Sequence, residues 1–246
     1  GHKAFIPYIM AGDGGLEQLK DRILFLQAAG ATAIELGIPF SDPVADGPTI
    51  QQAGERALQN GATLSNILAK LEEFYEEVDV PLVLMTYFNP LLSYGLSKFA
   101  EDCEHLGIAG IIVPDLPYEE SEVLREALKE TDLAIVPLIS LTSPKERIAK
   151  IVRAGEGFIY AITVNGITGA REGMNKDLDE YLHTIKELSN LPVMVGFGIS
   201  TPEQVEKMNG MADGVIVGSA IVEAFRVQDL ELISSLINAS KNKVIS

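Results

Sequence analysis

The sequence predicts a (β/α)8 barrel, the TIM-barrel architecture, folded as a single domain over residues 1–246. Three observations carry this expectation. Short apolar runs alternate with helix-period segments eight times along the chain. The runs are mostly continuous rather than alternating in polarity, as strands buried on both faces of a parallel sheet are. The length of 246 residues is close to the roughly 250 that one such barrel takes. A doubly wound open sheet is the alternative that the same alternation allows. No Pro/Gly/Ser-rich linker, low-complexity tract, charge block or solenoid repeat divides the chain.

The first run, 4–10, is expected to open the barrel, and the second, 32–38, holds the strongest single signal. Glu35 stands there among apolar and small residues, sharing a face with Ala33 and Gly37, which leave room beside it. An ionised carboxylate in a core is costly unless paired, so Glu35 is either a structural group tied to Arg or backbone N–H, or an acid whose pKa burial raises towards proton transfer. The loop after this strand carries Asp46, eleven residues on, between two Pro-containing turns and a Gly that stiffen it. Asp42, placed before Pro43, is the more ordinary turn residue. Thr63-Leu64-Ser65 is expected to open a helix over 66–77 before the third run, 81–87.

The fourth and fifth runs are 109–113 and 133–139. Ser143-Pro144 puts Pro at an expected first helical position before 145–153. The sixth run, 157–163, leads into a long connection with three glycines, Gly166, Gly169 and Gly173, which reads as a lid over 164–175. The seventh, 192–197, ends in Gly196-Phe197-Gly198-Ile199-Ser200, and Thr201-Pro202 then opens a helix over 203–208. The eighth, 213–217, is followed by Gly218-Ser219-Ala220-Ile221-Val222. In barrels the loops after strands seven and eight, with a short helix N-terminus, often hold a phosphate by backbone N–H groups. That arrangement lets an acidic chain bind a phosphate without Lys or Arg.

Composition narrows the chemistry. With 19 Lys plus Arg against 35 Asp plus Glu the net charge is −16, which disfavours nucleic acid and anionic membranes as partners. The only cysteine, Cys103, excludes an internal disulfide framework and a thiolate zinc cluster, and its free thiol fits a cytoplasmic setting. The three histidines lie before the first strand (His2) or in helical stretches (His105, His183), and no lysine falls near the carboxyl end of an expected strand. A His-based metal site and a lysine Schiff base are therefore unsupported. Acid chemistry has to come from carboxylates and tyrosines.

From Ala4 to Ala224 the chain resembles the tryptophan synthase α subunit family. The resemblance is carried by Glu35-Leu36-Gly37-Ile38-Pro39-Phe40-Ser41-Asp42-Pro43, by Ala45-Asp46-Gly47-Pro48-Thr49-Ile50-Gln51, by Gly166-Ile167-Thr168-Gly169-Ala170 and by Gly196-Phe197-Gly198-Ile199-Ser200. It implies retro-aldol cleavage of indole-3-glycerol phosphate to indole and glyceraldehyde 3-phosphate. It also implies a β partner that bears pyridoxal phosphate and receives the indole in an α2β2 complex, with no cofactor or metal in this chain. Residue by residue, it implies that Glu35 is the acid/base at indole C3 and at the glycerol hydroxyl. Asp46 would hold the indole N–H, and Tyr160 would stand near the glutamate. Gly169, Gly198, Gly218 and Ser219 match phosphate-binding positions, and Tyr8, Tyr87, Ile112 and Ile139 would line the indole pocket. Two departures stand out: the chain begins almost at the first strand, where the family usually has a helix closing the barrel floor, and Val164 stands where some members carry Arg. Two other functions remain open at this point, a stand-alone lyase with the same chemistry and a weakly catalytic barrel that chiefly activates a β partner.

Overall fold

The structure, a computed structural model, describes residues 2–162, 172–196 and 198–241, with the backbone alone over 172–176. Strand β1 (Ala4–Met10) leads into α1 (Gln18–Ala29), and β2 (Ile34–Gly37) into α2 (Pro48–Gln59) and α3 (Leu64–Glu72). Next come β3 (Leu82–Met85), α4 (Phe88–Tyr94), α5 (Leu96–His105), β4 (Gly110–Ile112) and α6 (Glu122–Leu128). The remainder is β5 (Ala134–Ile135), β6 (Leu138–Ser140), α7 (Lys145–Ala154), β7 (Ile159–Ile162), α8 (Glu172–Leu188), β8 (Val193–Gly196), α9 (Pro202–Asn209), β9 (Gly214–Val217), α10 (Ser219–Arg226) and α11 (Leu230–Ala239).

All strand pairs are parallel, in the order β5-β4-β3-β2-β1-β9-β8-β7-β6. The two ends of that order, β5 and β6, are separated in the chain only by Val136 and Pro137. They are two halves of the single fifth barrel strand. Val136 N–H donates to Ile111 O at 3.0 Å on one side, and Pro137 O accepts from Tyr160 N–H at 3.0 Å on the other. Pro137 has no N–H of its own to give, so the ladder is interrupted there while the chain carries the sheet round to closure. The expected run 133–139 is thus one barrel strand broken at a proline, and nine segments fill eight barrel positions.

Both faces of the strands are buried, as their continuous apolar character requires. Inside the barrel, Ile6, Ala33, Met194 and Ile216 form one cluster and Val83, Ile112 and Val136 another. Outside, helices press apolar stripes onto the sheet at helical spacing: Leu19, Ile23 and Leu26 from α1, Leu64, Ile67, Leu68 and Leu71 from α3, and Ile233, Leu236 and Ile237 from α11. Each such side chain contributes about 1.5–3 kcal/mol by leaving water.

The helix starts follow local chemistry. Thr63 caps α3 and Thr201 caps α9, each in a reciprocal capping box with the residue three further on, Asn66 and Gln204. Two expectations shift. The helix begun at Thr63 ends at Glu72, and the rest of the expected stretch, Tyr75–Glu77, is a separate 3₁₀ turn below the buried Phe74. Pro144 sits at the N-cap of α7 with extended ψ of 147° and not inside its first turn.

Candidate active site

Glu35 lies on β2 with Tyr8 beside it on β1 and Val83 beside it on β3. It faces the barrel interior at 1% exposure, and neither carboxyl oxygen has a hydrogen-bond partner among the described residues. Among the described residues no Arg or backbone N–H pairs with it as the structural alternative requires. Burial pushes its pKa up to about 8, and the nearby Asp46 charge adds to that push, so the group is a neutral acid at pH 7.

Asp46 is held above this strand by a loop with three ties, one internal and two from α2 and the start of α4. Asp46 N–H donates to Pro43 O at 3.1 Å, Gln51 Nε2 donates to Asp46 O at 2.8 Å, and Ala45 N–H donates to the Tyr87 hydroxyl at 2.9 Å. Tyr87 also stacks on Phe40, ring centroids 5.3 Å apart at 28°. Burial raises the Asp46 pKa to about 6, and a hydrogen bond from Tyr87 opposes the rise. Asp46 is consequently ionised at pH 7 where Glu35 is not. Two carboxyls with pKa values pushed apart, one an acid and one an anion, are the usual signature of divided acid–base labour.

Tyr8 and Tyr160 complete the wall. Burial, reinforced by the charges of both carboxyls, holds each phenol well above its ordinary pKa, so both remain neutral donors. Two glycines make room for them. A Cβ on Gly37 would lie 1.9 Å from the Tyr8 hydroxyl, and one on Gly196 would lie 2.5 Å from Tyr160 Cε1. The space beside Glu35 that the sequence assigned to Gly37 is thus occupied by a tyrosine ring.

The phosphate positions divide clearly. Gly218 is the N-cap of α10 and Ser219 its first residue, and no side chain caps this helix, in contrast to α3, α9 and α11. Among the described residues no side chain accepts from its first N–H groups, which leaves them to meet an anion. Gly198 is exposed, with nothing within 4 Å of where a Cβ would stand. Gly169 and most of the expected lid fall within 163–171, outside the described residues, as Val164 does.

Among the pocket residues, Ile112 points inward beside Met85 and Tyr160. Ile139 does not. Its neighbours on β6, Leu138 and Ser140, occupy the inward register, and Leu138 joins Ile112 and Tyr160 in the interior cluster. Ile139 belongs to the layer between sheet and helices, level with Ala161, and its carbonyl accepts from Tyr181 on α8 at 2.8 Å. The two-residue period runs unbroken across Pro137, with Val136 and Leu138 both inward, so it sets Ile139 on the outer face; the placement of Ile139 in the pocket came from the resemblance and not from this period. Leu138 is the side chain the sequence reading missed. Gln51 is the other, an ordinary helical polar residue by pattern whose partner carbonyls lie in the loop before it. Among the described residues no three His, Cys, Asp or Glu side chains converge as a metal-ligating group.

A closed parallel barrel with a neutral acid sunk in its second strand and an anion fixed at its rim defines a barrel enzyme working by acid–base chemistry. Comparison with known proteins gives the particular kind. A family model described as tryptophan synthase alpha chain matches residues 1–243. The chain is 54% identical to the tryptophan synthase alpha chain of Bacillus cereus over 243 residues, 99% of this chain and 94% of that one, and the Bacillus thuringiensis counterpart gives the same figures. Among solved structures, Mycobacterium tuberculosis tryptophan synthase matches with a TM-score of 0.90 at 35% identity, covering 98% of this chain and 94% of that one. The alpha chain from Legionella pneumophila matches with a TM-score of 0.88 at 34% identity, over 100% and 94%.

This chain belongs to the tryptophan synthase alpha chain family. It is a lyase subunit that cleaves indole-3-glycerol phosphate to indole and glyceraldehyde 3-phosphate in tryptophan biosynthesis. It carries no cofactor; pyridoxal phosphate belongs to the β chain, which is its partner.

Proposed function

We propose that Glu35 and Asp46 divide the chemistry of the cleavage between them. The observation that carries this reading is the unpartnered, uncharged Glu35 carboxyl with an ionised Asp46 close by. Glu35 delivers its proton to C3 of the indole ring, which makes the ring an electron sink. Asp46 accepts the indole N–H and stabilises the positive charge that develops there. The Glu35 carboxylate so formed then takes the proton from the hydroxyl on the carbon attached to C3. The bond between that carbon and C3 breaks with its electrons returning to the ring, which releases indole and the aldehyde and leaves Glu35 protonated again. Neither metal nor Schiff base is needed for this sequence of proton transfers.

Tyr8, Tyr87, Tyr160, Ile112 and Leu138 shape the indole pocket in this reading. The phosphate rests on the free N–H groups of α10 at Gly218 and Ser219 and against the open backbone at Gly198, with Gly169 as a further contact. The chain acts as one domain, since one sheet runs through all of it, and it works in an α2β2 assembly in the cytoplasm, where its lone buried Cys103 stays reduced. Single-turnover indole release from indole-3-glycerol phosphate, with and without the β partner, tests the assignment. Glu35→Gln should lower the rate by at least about 10²-fold, and Asp46→Asn by a comparable factor, with substrate binding kept. Near-normal turnover in Glu35→Gln would make Glu35 a structural residue.

A further inference from the structure

Outside the catalytic cavity, a cleft of about 830 Å³ opens between the loop after β1 and the C-terminal ends of α2 and α10. Three of the chain's seven arginines, Arg22, Arg56 and Arg226, line it. Two are already engaged. Asp13 holds Arg56 through both its oxygens at 2.7 and 2.9 Å, and Glu223 holds Arg226 at 2.8 and 2.5 Å. Arg22 is different. It is half-buried, its guanidinium carbon stands 5.1 Å above the Phe225 ring, and it has no hydrogen bond or ion pair among the described residues. Phe25 meets Phe225 edge to face at 6.1 Å, and Leu230 adds a further apolar edge to the cleft.

A guanidinium presents five donors in a flat fork suited to a carboxylate, and the nearby Asp13, whose oxygens are both bonded to Arg56, leaves the Arg22 donors unfilled. The aromatic and leucine wall offers nothing to a bare ion and much to a flat apolar body. Charge sets the remaining condition. Asp13 and Glu223 already occupy Arg56 and Arg226, so Arg22 is the one guanidinium of the lining with no carboxylate bonded to it among the described residues, which suits a monoanion and not a phosphate dianion. We propose that this cleft binds a small monocarboxylate with a flat apolar body, its carboxylate on Arg22 and its body against Phe25, Phe225 and Leu230.

The site is separate from catalysis in space. α2 and α10 turn their C-terminal ends towards the cleft, whereas their N-terminal ends follow Asp46 and Gly218. Binding can therefore be read without the reaction. Benzoate is the probe, titrated into the isotope-labelled chain while backbone amide shifts are followed, with benzamide and acetate as arms lacking the charge or the ring. Saturable shifts at Gly14, Arg22, Phe225 and Leu230 are expected with a Kd on the order of 1 mM, at least about tenfold tighter than for either control. Arg22→Met keeps the stem over Phe225 and removes the charge, so it should weaken benzoate at least about tenfold. Leu230→Glu, at a largely exposed helix start that accepts an acid, should do the same by repulsion and tests the charge requirement should the first variant not fold. The proposal is overturned if no cleft amide shifts saturably up to about 20 mM benzoate. It is equally overturned if benzamide binds as well as benzoate, if either folded variant binds like the parent, or if the shifts cluster around Glu35.

Discussion

At the scale of the residue, the site is expensive in free energy, and the cost is concentrated in Glu35. Both of its oxygens are buried without a hydrogen bond among the described residues, a state that favours the carboxyl keeping its proton. Its folded pKa of about 8 stands above the ordinary 4.5. Between those two values the unfolded chain has released this proton and the folded chain retains it. Stability from this group is therefore greatest below about pH 4.5, and it falls by about 1.4 kcal/mol per pH unit until it levels off above about pH 8. Glu35→Gln has no such proton to keep, so along with its slower turnover it should be more stable than the parent at pH 8, with a gap that narrows towards pH 5. Denaturant unfolding of both proteins at the two pH values measures this; a gap that does not change with pH would refute the buried neutral acid. The same two pKa values bound the reaction. kcat/KM should rise as Asp46 ionises near pH 6 and fall as Glu35 ionises near pH 8, and the acid limb should be missing from the residual activity of Asp46→Asn.

At the scale of the element, each functional group is positioned by a segment that is not its own. The Asp46 loop is stiff because Gln51, from the first turn of α2, and Tyr87, from the start of α4, both reach into it. Tyr87→Phe preserves the stack on Phe40 and removes only the hydroxyl. It should lower kcat/KM by about tenfold and move the acid limb to higher pH, because that hydroxyl is the group holding the Asp46 pKa down. A pH–rate profile of the variant checks both; an unmoved acid limb would deny Tyr87 this role. The glycines at the seventh strand end differ in the same way. Gly198 faces open space, so Gly198→Leu should fold normally and lose affinity for a glycerol phosphate ligand, read by direct titration. Gly196, two residues earlier, lies so close to Tyr160 that even one methyl group must displace the ring.

At the scale of the whole molecule, the proposed site opens at the carboxyl ends of the strands, and we propose that the β partner docks at the same face. Two large apolar side chains stand out near this face, Val44 at 72% and Leu92 at 50% exposure, on the Asp46 loop and on α4. Apolar groups left in water at the rim of a site whose product is apolar are suited to a docked neighbour. Val44→Asp should weaken assembly with the β chain by about tenfold or more while sparing indole release by the isolated chain, measured by titration calorimetry and by single turnover. Unchanged affinity would place the docking surface elsewhere.

The sequence by itself determined the β/α alternation with a parallel sheet, because continuous apolar runs between capped amphipathic helices are a local property written residue by residue. Thr63 and Thr201 announce their helices within four positions, and eight short apolar runs leave few ways to bury both faces of a sheet. It also singled out Glu35, since a lone acid in an apolar run is conspicuous without any partner in view. What only the tertiary structure decided is everything that depends on neighbours distant in the chain. Closure passes through Pro137, where one strand is shared between two ladders while Val136 and Leu138 keep the inward face on either side of it and Ile139 the outward one. The different pKa values of Glu35 and Asp46 come from how deeply each is buried, from the Asp46 charge beside Glu35 and from the Tyr87 hydrogen bond to Asp46, and none of these exists until the loop lies over the strand. Gly37 and Gly196 likewise gain their meaning from Tyr8 and Tyr160, whose rings arrive from other strands to fill the space that two missing side chains leave.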